Sequence, residues 1–366
     1  MKKRTFCTLC AVASALLATW RASAWDYEIH RLINQLALAS LPANFPAFVQ
    51  APAAAERIAF LSGEPDRWRN VRDLPLRHVN GPNHYIDLEE LSQYGLSPEA
   101  LPMLRGDFIA ELALIRKEHP QNVPQFDPAQ DTDHTRELAG LLPWAITEHY
   151  SKLKSCFSYL KAFEQAGGAT DEIANAQADV VYIMGVMGHY VGDASQPLHT
   201  TVHYRGWTGD NPHGYTTDPR IHAWIDGGYF RKVGPPDFDS LKARLRPARL
   251  VMFRGRTARP NELFQTAMAF IVEQNKQVEP LYRMERAGQF SGNGTVGLQG
   301  KPLLEDQILK SSQFLGDLWY SAWRQAPTDG FLKGQLARRR RESLEPKMPH
   351  AKGTAPALPA PDNTGR

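Results

Sequence analysis

The chain has 366 residues, and its formal net charge of +3 hides an uneven distribution. Residues 1–24 carry +4 and residues 331–366 carry +5, which leaves the body from Trp25 to Gly330 near −6. A body this acidic excludes a nucleic-acid clamp held by charge alone, so action on phosphodiesters would require bound metal to supply the positive field. Of the three cysteines, Cys7 and Cys10 lie in the first 24 residues and only Cys156 lies beyond them. That excludes a disulfide within the remaining chain and any zinc site built on cysteine, leaving His and carboxylates as the metal donors.

The first element is a signal segment. Lys2, Lys3 and Arg4 precede an apolar run from Leu9 to Trp20, and Ala22-Ser23-Ala24 presents the small-x-small pattern of signal peptidase. The run is shorter than the ~20 residues of a membrane span. Cleavage after Ala24 is expected, with a secreted or periplasmic product that starts at Trp25; an uncleaved anchor is the alternative. From Asp26 to Leu41, Ile29, Leu32, Ile33, Leu36 and Ala37 form one stripe, which predicts a helix. Asn70 to Pro82 reads as a polar, turn-rich loop. Thr135 to Ala166 reads as long helical stretches with Pro143 as start or kink, and Ala174 to Ala194 as a central buried helix. Loops follow over Thr201 to Pro219 and Pro235 to Pro260. Two amphipathic helices are expected over Leu263 to Glu279 and Leu304 to Ala326. No alternating strand run is convincing and no repeat is found. The body, 25–330, is therefore expected to be a single, mainly helical, all-α domain. The tail, 331–366, holds Arg338 to Arg341 and a Pro/Ala-rich stretch, and is expected to be solvated and disordered.

The strongest chemical feature is His189-Tyr-Val-Gly-Asp193-Ala-Ser-Gln-Pro-Leu-His199. His189 and Asp193, at i and i+4, share one helix face and can grip one ion. Pro197 interrupts the helix and throws His199 onto the following loop, while Gly188 and Gly192 let a second helix come close. His222 and Asp226 repeat the i, i+4 spacing. One such pair arises by chance on surface helices; two pairs joined by His199 point to metal. A core role for His189 would leave Asp193 buried without a partner, which is costly. Asp66 and His84 are upstream candidates that, alone, would read as a loop carboxylate and a surface histidine. His30 lies five residues after Trp25, close to the amine that cleavage would free.

In this order, these residues resemble the superfamily of zinc-dependent single-strand-specific nucleases of the mung bean nuclease type and zinc-dependent bacterial phospholipases C. The resemblance implies a helical fold around three zinc ions. Trp25, through its amine and carbonyl, and His30 would hold one ion, with Asp193 as a bridge. Asp66, His84, His189 and Asp193 would hold the second, and His199, His222 and Asp226 the third. The His-x-x-x-Asp ending, the Trp25–His30 spacing and His84-Tyr85-Ile86-Asp87 resemble the nuclease branch, in which an aromatic stacks on a base and an Asp bonds its edge. Asp66 is expected to orient or deprotonate water, and Arg69 to neutralise phosphate. The nuclease Gly-Gly-Asn loop has no match in register, and Asn211 is the candidate substitute. Glu28 matches a choline-contacting position of the phospholipases. The resemblance thus implies a nuclease or 3′-nucleotidase acting on single-stranded DNA or RNA, with a phospholipase C acting on phospholipid as the alternative.

Overall fold

A computed structural model describes residues 25–122, 131–258 and 262–344. The expected signal segment and residues 345–366 of the tail lie outside them. Sixteen α-helical segments, short 3-10 turns and one two-stranded hairpin, Met252–Phe253 with Arg256–Thr257, make up the described residues. The fold is all-α, as the periodicity predicts.

The centre is helix α8, Thr170–Ser195, whose second half is buried on all sides from Met184 onward. Its antiparallel partner is α7, Leu142–Ala166, with Pro143 in the first turn and Gly167, at φ 82°, closing the C-terminus. Pro143 thus marks the start of the helix rather than a kink, in the first turn where a missing N–H costs nothing. Around this hairpin pack α1 (Tyr27–Ser40), α2 (Pro52–Leu61), α12 (Leu263–Asn275) and α15 (Lys301–Gln325). Helix α1 begins at Asp26, whose carboxylate accepts from the Ile29 N–H at 3.2 Å. Its stripe, Ile29, Ile33, Leu36 and Ala37, is buried against α8 and α15.

The close approach of α1 to α8 depends on glycine. A Cβ at Gly188 would sit 1.7 Å from Asn34 Oδ1, and one at Gly192 would sit 2.8 Å from His30 Nδ1. Into that space Asn34 sends its amide, which donates to the carbonyls of Ile58 at 2.8 Å and Gly185 at 3.0 Å and pins α1, α2 and α8 together.

Four expectations need correction. The stretch Asn70 to Pro82 contains a helix, α4 (Leu74–Asn80), with Asp73 accepting from the Leu76 N–H at 3.0 Å and a proline in the first turn. Asp followed by Leu-Pro is a helix-start signature that polarity masked. The expected helix Leu263 to Glu279 divides into α12 and α13 (Val278–Arg286) without proline or glycine at the break. Asn275 donates to the Thr200 carbonyl at 2.9 Å, tying the end of α12 to the loop after His199. The loop Pro235 to Pro260 holds a short helix, Phe238–Lys242, and the hairpin. Finally, the tail does not begin as disordered chain: Gly330–Leu344 is a helix, α16. Asp329 accepts from the Leu332 N–H, Leu336 is buried, and the Arg339 guanidinium grips both oxygens of Glu172 at 2.8 Å.

Candidate metal centre

Six separate elements bring the predicted donors together. His30 comes from α1, and Asp66 from α3 (Glu64–Asn70). His84 ends the 3-10 turn Gly81–His84, and His189 and Asp193 come from α8. His199 ends a second 3-10 turn, Pro197–His199. His222 lies on α9, Ile221–Ala223, and Asp226 on the π turn Trp224–Gly228 that continues it. A π turn inserts one residue into a helix and re-aims the side chains after it.

The donor atoms fall into three sets: His30, Asp66 and His189; His84, His189 and Asp193; and His199, His222 and Asp226. In the second set, the edges His84 Nδ1–His189 Nε2, His84 Nδ1–Asp193 Oδ2 and His189 Nε2–Asp193 Oδ2 measure 2.9, 3.0 and 3.2 Å. Ligands about 2.0 Å from a tetrahedral ion stand about 3.3 Å apart, slightly wider than these edges. In the third set, His222 Nε2 lies 3.0 Å from His199 Nε2 and 3.1 Å from Asp226 Oδ2. Asp193 joins the parts: its Oδ1 is 3.4 Å from His30 Nε2 and 3.9 Å from His199 Nδ1, while Oδ2 faces the second set. Asp66 Oδ1 is 3.9 Å from His189 Nε2 and 4.0 Å from His84 Nδ1.

Partners outside the sets hold the rings. His189 Nδ1–H donates to the Ser62 carbonyl at 2.7 Å, and His199 Nδ1–H to the His84 carbonyl at 2.6 Å. Both bonds leave the Nε2 lone pair aimed into the cluster, the arrangement that orients metal-binding histidines. Gln196 donates to Asp226 Oδ1 at 2.5 Å, with its own carbonyl fixed by the Leu198 N–H at 2.7 Å, so Asp226 Oδ2 points at His222. The segment Ile86 to Leu88 donates backbone N–H groups to the His199 and Thr200 carbonyls and locks the His84 turn to the His199 turn.

The electrostatics are those of a site that wants a cation. Burial, with the neighbouring His189, pushes His30 down to about 4; burial, with Arg69, pushes His84 down to about 3. Burial also lowers His199, and it lowers His222 strongly. These rings are therefore neutral and able to ligate. Burial drives Asp226 well above the carboxylate range, whereas at Asp193 burial is outweighed by His189 and His199, which hold it well below. Both His30 nitrogens, His84 Nε2, His222 Nδ1, Asp193 Oδ1 and Asp226 Oδ2 are buried without a hydrogen bond. Orphaned polar atoms at this density are rare in folded proteins and call for an explanation. A bound metal explains those that face the cluster, His30 Nε2, Asp193 Oδ1 and Asp226 Oδ2, and the imidazole and carboxylate donors fit one.

Trp25 is fully buried, with its ring N–H donating to the Gly192 carbonyl at 3.1 Å. The next residue's N–H donates to the Asp226 carbonyl at 3.0 Å, so the main chain at Trp25 runs between α8 and the third set. Gly227 permits this: a Cβ there would meet Asp26 Oδ2 at 1.9 Å. Arg69 Nε lies 2.8 Å from Asp66 Oδ1. Tyr85 is half-buried, with its hydroxyl donating to the Thr135 carbonyl at 3.2 Å. Asp87 is buried, and burial together with Glu90 and Glu89 pushes its carboxyl well up. Asn211 is held within its own loop. Its oxygen accepts from the Tyr215 N–H at 2.8 Å and its nitrogen donates to the Tyr215 carbonyl at 2.9 Å, so it closes its own loop. Glu28 is 78% exposed and leans toward Arg31.

Residues that sequence reasoning missed are the supports. They include Gln196 and Ser62, and Glu89, which ties Thr201 and Val202 to the helix after Asp87. They also include Tyr204, whose ring centre is 5.8 Å from that of His222. Only Gln196, inside the motif, carried a signal. Neither a family model nor a curated protein matches the chain.

Proposed function

We propose that the chain, freed of residues 1–24, is a secreted or periplasmic zinc-dependent phosphodiesterase that cleaves single-stranded DNA or RNA as an endonuclease and 3′-nucleotidase. The observation that carries this reading is the set of buried His/Asp groups joined through Asp193, with their orphaned polar atoms. The His/carboxylate chemistry suits zinc, and the motif resemblance supports three ions. Trp25, His30 and Asp193 would hold one; Asp66, His84, His189 and Asp193 another; His199, His222 and Asp226 the last. Bound zinc would supply Lewis-acid polarisation of the phosphoryl group and acidify water to a pKa near ~7.

The chain's own residues do the rest. Asp66 retains a little solvent access, with 14% of its side chain exposed. Burial opposes its ionisation, but Arg69, His189 and His84 hold it below the carboxylate range. It stays ionised and orients the attacking water at a carboxylate oxygen. Arg69 sets a positive charge beside it for the phosphate. The Tyr85 ring stacks on the base 5′ to the scissile bond, and the Asp87 carboxyl bonds the base edge; kept protonated by its surroundings, it can donate as well as accept. Hydrolysis of phospholipid is the second reading, with Glu28, exposed on the first turn of α1, as the candidate choline contact. Single-stranded DNA, RNA and phosphatidylcholine, assayed side by side with a chelator control on a chain starting at Trp25, test the proposal. Turnover of the lipid alone, or turnover indifferent to chelation, would reject it.

A further inference from the structure

A cavity of about 870 Å³ forms a groove on the outer side of the segment that carries His222 and Asp226. His222 and Asp226 are buried, whereas Ala223, Trp224 and Gly228 of the same segment line the groove. Its floor is apolar: Ile221, Ala223 and Trp224. The Trp224 ring is half-buried, and its N–H is fixed by the Phe290 carbonyl at 2.8 Å. Three arginines, Arg205, Arg220 and Arg231, stand around that floor, on a body that is otherwise acidic.

The arginines differ in commitment. Arg220 grips Asp218 and Arg231 pairs with Asp26 at 2.6 Å, yet their side chains are 87% and 59% exposed. Arg231 Nη2 hangs 3.6 Å from where a Cβ of Gly228 would be, over the floor. Arg205 is exposed and forms no ion pair among the described residues. Glu285 also lines the wall, which rules out a bare cation clamp. An indole floor with cations at the rim is the pattern that holds a single strand, with bases stacked and phosphates on arginine.

We propose that this groove is an exosite for the nucleic-acid strand continuing beyond the cleaved bond, with Arg205 as the principal phosphate contact and Trp224 as the stacking floor. The proposal rests on the phosphodiesterase reading for its substrate. The groove is lined by Ala223, Trp224 and Gly228 while His222 and Asp226 of the same segment are buried behind it, so it engages nucleotides beyond the reacting one. It makes the protein prefer polymers over mononucleotides and small esters.

The test compares the parent, loaded with zinc and starting at Trp25, with Arg205→Ala and an Arg205→Ala/Arg220→Ala/Arg231→Ala variant. Affinity for a fluorescent phosphorothioate oligonucleotide of about ten nucleotides is read by anisotropy across a salt series. Turnover of a small chromogenic phosphodiester is measured beside it. Arg205→Ala is expected to weaken oligonucleotide binding about tenfold and to reduce the slope of log affinity against log salt by about 0.7, the value for one lost single-strand phosphate contact. Small-ester turnover should stay at the parental rate. Unchanged oligonucleotide affinity and salt slope in both variants would overturn the exosite while leaving the hydrolase reading intact. A parent that binds the oligonucleotide through Arg205 but cleaves no nucleic acid would keep the exosite and reject the nuclease reading. Phosphatidylglycerol vesicles bound through Arg205, with no oligonucleotide bound, would overturn the proposal.

Discussion

Asp193→Asn is the most informative single change. The carboxylate is wholly buried and touches three rings: His84 and His189 through Oδ2 at 3.0 and 3.2 Å, and His30 through Oδ1 at 3.4 Å. Asn keeps the size but replaces one oxygen with an NH₂ that cannot ligate. Two of the three proposed ions therefore lose a ligand together, whereas Asp226→Asn affects only one. At free zinc one hundred times the dissociation constant, each independent site stabilises the fold by about 2.7 kcal/mol, so three sites give about 8 kcal/mol. Asp226→Asn should retain about 5 kcal/mol of that gain and Asp193→Asn about 3 kcal/mol. At roughly 2 °C per kcal/mol, the zinc-induced rise in Tm is about 16 °C for the parent, about 10 °C for Asp226→Asn and about 6 °C for Asp193→Asn. Thermal scans with and without zinc, paired with metal analysis, read this directly. Equal Tm gains and equal zinc content in the two variants would refute the bridging role.

A chain carrying one extra residue before Trp25 should bind one zinc fewer and lose most of its activity, because the Trp25 amine is then an amide; full zinc and full turnover in that variant would remove Trp25 from the ligand set. Tyr85→Ala should cost about 1–3 kcal/mol in transition-state binding on single-stranded DNA, or one to two powers of ten in kcat/KM, with zinc content unchanged and small-ester turnover far less affected. The outcome that contradicts this is equal loss on both substrates. Away from the centre, burial, reinforced by Lys152, pushes His149 down to about 4. Its folded pKa lies below the unfolded value of about 6.5, so the unfolded chain binds the proton more readily and stability falls as pH drops from about 6.5 to about 4, by about 3 kcal/mol in all. His149→Gln should flatten the fall of Tm across that window, and an unaltered pH profile would show that other groups control it.

Local features of the site were legible because helix periodicity is a property of the chain itself. The spacings His189 to Asp193 and His222 to Asp226 place each pair on one face wherever a helix forms, and their side-chain separations are 3.2 and 3.1 Å. Asp26 and Pro143 marked helix starts for the same local reason. The polar run at Asn70 to Pro82 misled because loop-like composition overrode the Asp73 cap. The tail misled because the composition of Arg338 to Arg341 says nothing about Glu172, which sits far away in sequence and receives Arg339.

The helical class, the C-terminal ends of the longest helices and the donor types offered by two i, i+4 pairs and a Pro-thrown histidine are all readable from the chain. Which distant donors meet is set by packing alone. His30, Asp66 and His84 have no periodic relation to α8, and they reach it because Gly188 and Gly192 let α1 close while backbone bonds lock the His84 and His199 turns together. The same holds for the groove, whose arginines come from separate segments around Trp224. Local spacing follows from the 3.6-residue turn, but contact between distant segments depends on which apolar faces pack, and no short window of sequence contains both partners.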